Sequence, residues 1–171
     1  MSAPIYSGGR PFWKSGIRMK NFVLYNRTVI NILDDVATTV FTINVPNPAT
    51  GSFVSAAIDV TLFTIIGAGG SVGVGETVQT AEGNIVVTRT PGLAAVIAIS
   101  GLVLTNNVSV AGGVTSVAVT LTNVAVAGAN TVAQTFAIQT TIDDDTASAT
   151  NHICVANVYC MNAGVGVTFS A

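Results

Sequence analysis

The sequence predicts an all-β protein, a jelly-roll-like β-sandwich of about eight strands preceded by an extended N-terminal arm. Three observations carry this. Runs rich in Val, Ile and Thr alternate apolar and polar residues with a period of two. Gly, Pro, Asn or Asp clusters interrupt them about every 8 to 14 residues, the spacing of short antiparallel strands. No stretch carries a helical period over a helix-sized window. A jelly roll fits best because its two sheets bury one face of every strand.

Residues 1–20 form a zone of their own. Pro4, Gly8, Gly9, Pro11 and Gly16 exclude a helix or a central strand, so an arm is expected over 1–20 and the sandwich over 21–171. From residue 21 the strands follow one another. Residues 21–33 and 36–45 are separated by Asp34 and Asp35, which suit a tight turn. Pro46, Asn47, Pro48 and Gly51 make a loop before a strand at 53–66. That strand sets Ile58, Val60, Leu62 and Ile66 against Asp59 and Thr61. The five glycines of residues 67–75 read as a loop. Residues 77–90 read as a hairpin turning at Glu82, Gly83 and Asn84. Pro91 and Gly92 end it, and one further strand is expected over 93–104. A short strand at 108–110 lies between Asn106–Asn107 and Gly112–Gly113. Then come 115–126, a turn at Gly128, 131–142 with Val132 facing inward, 153–161 and 165–169.

Composition narrows the function classes. Half of the 171 residues are hydrophobic and only 8% are charged, against about 25% in an ordinary soluble domain. So few charges leave an isolated monomer poorly solvated, which points to a surface covered by partners. The longest apolar run is about 12 residues, short of the roughly 20 that a spanning helix needs, so no membrane partner is expected. No basic segment followed by an apolar one opens the chain, and export through a signal peptide is not expected.

The charges are segregated. Arg10, Lys14, Arg18, Lys20 and Arg27 lie in the first 27 residues, and Arg89 is the sixth base. All eight acidic residues follow Leu33. A basic arm is expected to seat on the acidic body of a neighbouring copy. Ile5, Tyr6, Phe12 and Trp13 would fill its pockets, and Arg10, Lys14 and Arg18 would face Asp34, Asp35, Asp143, Asp144 and Asp145. Nucleic acid is the weaker reading of the arm, because genome-packaging arms are denser in Arg and Lys.

Motifs for chemistry are weak. His152 with Cys154 offers two ligands where a structural zinc site takes four. The same single histidine finds no nucleophile to serve. The two cysteines face one side of a strand about 20 Å apart, too far for a disulfide, and read as buried thiols or partners between subunits. Asp143, Asp144 and Asp145 are adjacent and cannot all reach one calcium ion. The glycines of 67–75 lack the Gly-Lys-Ser/Thr ending of a phosphate loop. No catalytic residue, metal or cofactor is expected, and an enzyme is not.

The arm Ser2-Ala-Pro-Ile-Tyr-Ser-Gly-Gly-Arg-Pro-Phe-Trp13, followed by a Val/Thr/Ala/Gly-rich β domain, resembles the capsid decoration or cement proteins of tailed phages. The resemblance spans the chain as composition and layout. It implies a virion protein assembled in the host cytoplasm. Such a protein would clamp copies of itself, as a trimer or another homo-oligomer, to a major capsid protein. Three alternatives stand beside it: a small jelly-roll coat protein, a subunit of an extracellular filament or tail fibre, and a carbohydrate-binding module in which Trp13 or Tyr159 stacks on a sugar.

Overall fold

Alternation of side chains settles which way each strand faces, and in the computed structural model it does so over ten strands. The structure describes residues 21–67, 77–109, 117–144 and 151–171, so the arm expected over 1–20 and the glycine loop of 67–75, beyond Gly67, lie outside it. The strands are β1 (Asn21–Leu33), β2 (Thr38–Val45), β3 (Val54–Ile66), β4 (Thr77–Arg89), β5 (Val96–Ile99), β6 (Val103–Ser109), β7 (Val117–Ala127), β8 (Gln134–Asp144), β9 (Asn151–Gly164) and β10 (Thr168–Ser170). Among the described residues there is no helix.

Two antiparallel sheets make a sandwich. One has the order β1-β9-β3-β4-β5, with β6 beside β5 along the other half of β4. The other has the order β10-β2-β8-β7. The chain crosses between sheets from β1 to β2 to β3, and again from β8 to β9 to β10. This crossing brings β9 between β1 and β3, and β8 beside β2. It is the jelly-roll-like part of the winding. The middle of the chain stays in one sheet, with β3 and β4 paired over their full lengths. Ile58 and Leu62 of β3, Ile85 of β4, Phe41 and Ile43 of β2 and Ile138 of β8 meet between the sheets, all fully buried.

Three expectations about elements are corrected. Residues 82–84 do not turn: β4 runs straight through them, Gly83 facing Val60 across the sheet. The glycine is there for space, since a Cβ would lie 2.6 Å from Cδ2 of Leu102. Leu102 can swing aside, so Gly83→Ala is expected to change the unfolding free energy by less than about 1 kcal/mol, whereas Gly83→Val, which overpacks the site, is expected to cost about 1–3 kcal/mol in urea unfolding. The single strand expected at 93–104 is two strands. β5 and β6 part at Ser100 and Gly101, where the Ser100 hydroxyl accepts from the backbone N–H of Asn84 and donates to its carbonyl. β6 then continues through Asn106 and Asn107, with a register shift that absorbs the extra residue. Val132 is not in the core: it is half exposed in the turn before β8.

Arg27, one of the five leading bases, lies within the strand expected over 21–33. It belongs to β1, where it pairs with Ala156 on the inward face, and its guanidinium donates to the carbonyl of Val40. Of the five leading basic residues, four therefore remain for the arm. Beside it Tyr25, Phe41 and Phe169 form an aromatic triangle with centroids 5.9–6.3 Å apart, which closes the β1 side and holds the three-residue β10.

Cys154 and Cys160 both point into the core as free thiols. Burial pushes Cys154 up to about 12 and Cys160 up to about 11, from an ordinary 9.0. Neither thiol is expected to react with a disulfide reagent at pH 8 until the chain unfolds, and absorbance after mixing reads this directly. The raised values favour the native state below about pH 9. Above it the unfolded thiols ionise first, so stability is expected to fall as pH rises towards 11–12.

Candidate functional site: the outer face of the six-stranded sheet

One buried charge fixes the end of the sandwich at which β1 begins. Arg89, at the end of β4, is 2% exposed. Its Nε donates to Leu93 O at 3.0 Å and its Nη1 to Val45 O at 2.8 Å. Its Nη2 donates to Asn130 O at 2.9 Å and to Val132 O at 2.7 Å. The planar fork thus ties the loop after β4 to the end of β2 and to the loop before β8, both about 40 residues away in sequence. Gln134 and Asn47 extend the tie. Gln134 Oε1 accepts from Ala95 N–H at 2.7 Å, and Asn47 Oδ1 accepts from Gly92 N–H at 3.0 Å.

This frame presents the outward face of the six-stranded sheet. The register reads across it in rows. Ser55, Thr88 and Val96 form one row, and Ala57, Val86, Ala98 and Met161 the next. Then follow Leu24, Tyr159, Asp59 and Asn84, and after them Asn26, Asn157, Thr61, Glu82 and Val103. Asp59 and Glu82 are the only charged side chains on this face among the described residues. Large apolar groups stand open to solvent: Leu24 is 72% exposed, Val96 62%, Leu93 59% and Phe53 50%. A groove of about 410 Å³ runs between Phe53, Leu93, Val96 and Thr88 at the Arg89 end. A second, of about 340 Å³, lies between Leu24, Asp59, Asn157 and Tyr159, where the Asn26 amide donates to Asn157 Oδ1.

The acidic residues singled out in the sequence collect at the opposite end. Asp34 and Asp35 form the turn after β1, with Asp35 at φ 53° and its N–H donating to Ile142 O at 2.8 Å. Asp143 is exposed nearby on β8, Asp144 is the last residue of that strand, and Asp145 lies outside the described residues. Asp34 also faces the fully buried His152, 3.5 Å from its Nε2, a pairing that residues 118 apart in sequence do not announce. Ile5, Tyr6, Arg10, Phe12, Trp13, Lys14 and Arg18 lie outside the described residues. Tyr159 is on the outward face, beside Leu24 and Asp59. Sequence reading missed Arg89 as a clamp and missed the Asp59–Glu82 face. A lone arginine in an apolar strand was the available signal for the first. Among the described residues no group of three or more His, Cys, Asp or Glu is placed to hold a metal ion.

No protein-family model matches the chain, and no curated protein is similar to it. Among solved structures, it is similar to the crystal structure of the Acinetobacter baumannii phage AM24 tailspike protein, with a TM-score of 0.54 and 17% identity. The match covers 88% of this chain and 28% of that one, so the chain spans little more than a quarter of the tailspike's length. This match overturns the expectation that the chain is not an enzyme. That expectation rested on missing motifs and on a resemblance to decoration proteins, whereas the fold is shared with a tailspike. At this identity the likeness shows one thing: the sandwich of this chain is a fold found within a phage tailspike protein.

Proposed function

We propose that the chain is a structural subunit of a phage virion and, within that class, a capsid decoration or cement protein. The observation that carries the reading is the outward face of the six-stranded sheet. It exposes Phe53, Leu93 and Val96 around one groove and Leu24 beside another, and bears two charges among its described residues. An apolar surface of this kind suits burial by other subunits. The fold shared with a phage tailspike supports the virion setting. Partners on this reading are further copies of the chain, as a trimer or another homo-oligomer, and a major capsid protein. Assembly takes place in the host cytoplasm, and neither nucleic acid nor lipid takes part.

A second reading, a domain of a tail spike or fibre, is favoured by the tailspike likeness alone. Immunogold electron microscopy of the particles that carry the chain separates the two. Label over the faces of the shell is expected. Label confined to the tail tip would replace the first reading by the second, and unlabelled particles would overturn both.

A further inference from the structure

We infer that the groove between Phe53, Leu93 and Val96 receives the N-terminal arm of a second copy of the chain, with Phe12 as the apolar anchor and Arg18 paired with Glu82. The inference rests on the assembly reading above and specifies its contact.

Three observations place the arm there. First, the chain outside the structure ends at the right place. Asn21 pairs with Asn162 at the Arg89 end of the sandwich, the end at which the groove opens. Twenty residues precede Asn21, and extended they span about 66 Å at roughly 3.3 Å per residue. From β1 to β4 is three strand spacings, about 14 Å. The length far exceeds what its own sheet requires and is enough to extend onto a second copy.

Second, the charges complement. Arg10, Lys14, Arg18 and Lys20 meet a face whose only described charges are Asp59 and Glu82, both exposed. Third, the spacings agree. In an extended segment the period of two sets Tyr6, Arg10, Phe12, Lys14, Arg18 and Lys20 on one side, the even positions. Arg18 stands six residues from Phe12. Glu82 stands six residues from Thr88, which lines the groove, so both intervals are about 20 Å. An arm laid along the strands with Phe12 in the groove therefore delivers Arg18 to Glu82.

The test uses full-length protein. Phe12→Cys and Val96→Cys chains are mixed in equal amounts under mild oxidation, with Thr122→Cys, on the outer face of the other sheet, as the control partner. The native thiols are buried and do not compete. A disulfide-linked heterodimer with Val96→Cys and not with Thr122→Cys is expected. In sedimentation velocity, Arg18→Glu and Glu82→Arg should each weaken association by about tenfold, and the double variant should restore it. A link formed only within one chain carrying both Phe12→Cys and Val96→Cys would overturn the second-copy assignment. An oligomer that forms without the link or the charge rescue would overturn the docking site and leave the assembly reading standing. A monomer in every variant, wild type included, would overturn both.

Discussion

Replacement of Arg89 by methionine is expected to lower the unfolding free energy by about 3–5 kcal/mol. The side chain is 2% exposed, and its donors serve the carbonyls of Val45 at the end of β2, of Leu93 in the loop after β4, and of Asn130 and Val132 in the loop before β8. Methionine fills the apolar part of the site and donates nothing. A buried carbonyl left without a donor costs about 1–3 kcal/mol, and water reaches only those nearest the surface. Arg89→Lys should recover only part of the loss, because one ammonium cannot address carbonyls set around a planar fork. Urea unfolding of the three proteins measures this. A loss below about 1 kcal/mol for methionine would show that the loops hold their places without the clamp, and the groove beside them would need another explanation for its shape.

The second large effect is expected at Phe41. It is fully buried on β2 and touches Tyr25 and Phe169, at ring centroid distances of 6.3 and 6.0 Å. Phe41→Ala removes the ring and opens a cavity between the sheets, and changes of this kind cost about 3–5 kcal/mol. The loss should not stay local. β10 is three residues long and, among the described residues, pairs only with β2, so Phe169 is its main side-chain anchor in the core. Hydrogen exchange should therefore accelerate first in β10 and in the facing half of β1. Uniform exchange across both sheets would argue that β10 is held by something other than this triangle.

The sandwich was legible because strands buried on one face write their orientation as a period of two. Ile58, Val60 and Leu62 against Asp59 and Thr61 is such a case, and the structure buries the first set and turns the second to solvent. What misled was glycine. Gly83 carries the same letter as the turn glycines, yet it sits inside β4 because Leu102, 19 residues later, needs the space. That contact is tertiary and leaves no local trace. A positive-φ turn position such as Gly128, at φ 113° with Ala133 O 2.2 Å from where a Cβ would sit, does announce itself locally. Val132 misled for the opposite reason. Its alternation continues that of β8, but Arg89 takes its carbonyl and holds the segment in a turn.

The candidate site was less legible than the fold. The charge segregation of the chain was visible, and it directed attention to the aspartates of 34–35 and 143–145. Pairing then brought Asp59 and Glu82, isolated in sequence and on neighbouring strands, onto one face that carries no other charge among the described residues. It is strand order that creates this face, and strand order is set by how the crossovers wind, not by spacing along the chain. Arg27 shows the same limit: counted with the basic arm in sequence, it is turned inward on an edge strand and spends its guanidinium on a backbone carbonyl.

The most direct measurement is sedimentation velocity of the full-length chain over a hundredfold range of concentration, at low and at high salt. A subunit that buries the outward face of its six-stranded sheet on its neighbours should sediment as a defined oligomer or larger assembly. Higher salt should weaken that assembly, because its basic arm and acidic face are screened. A single monomeric boundary at every concentration and both salt levels would contradict assembly through this face.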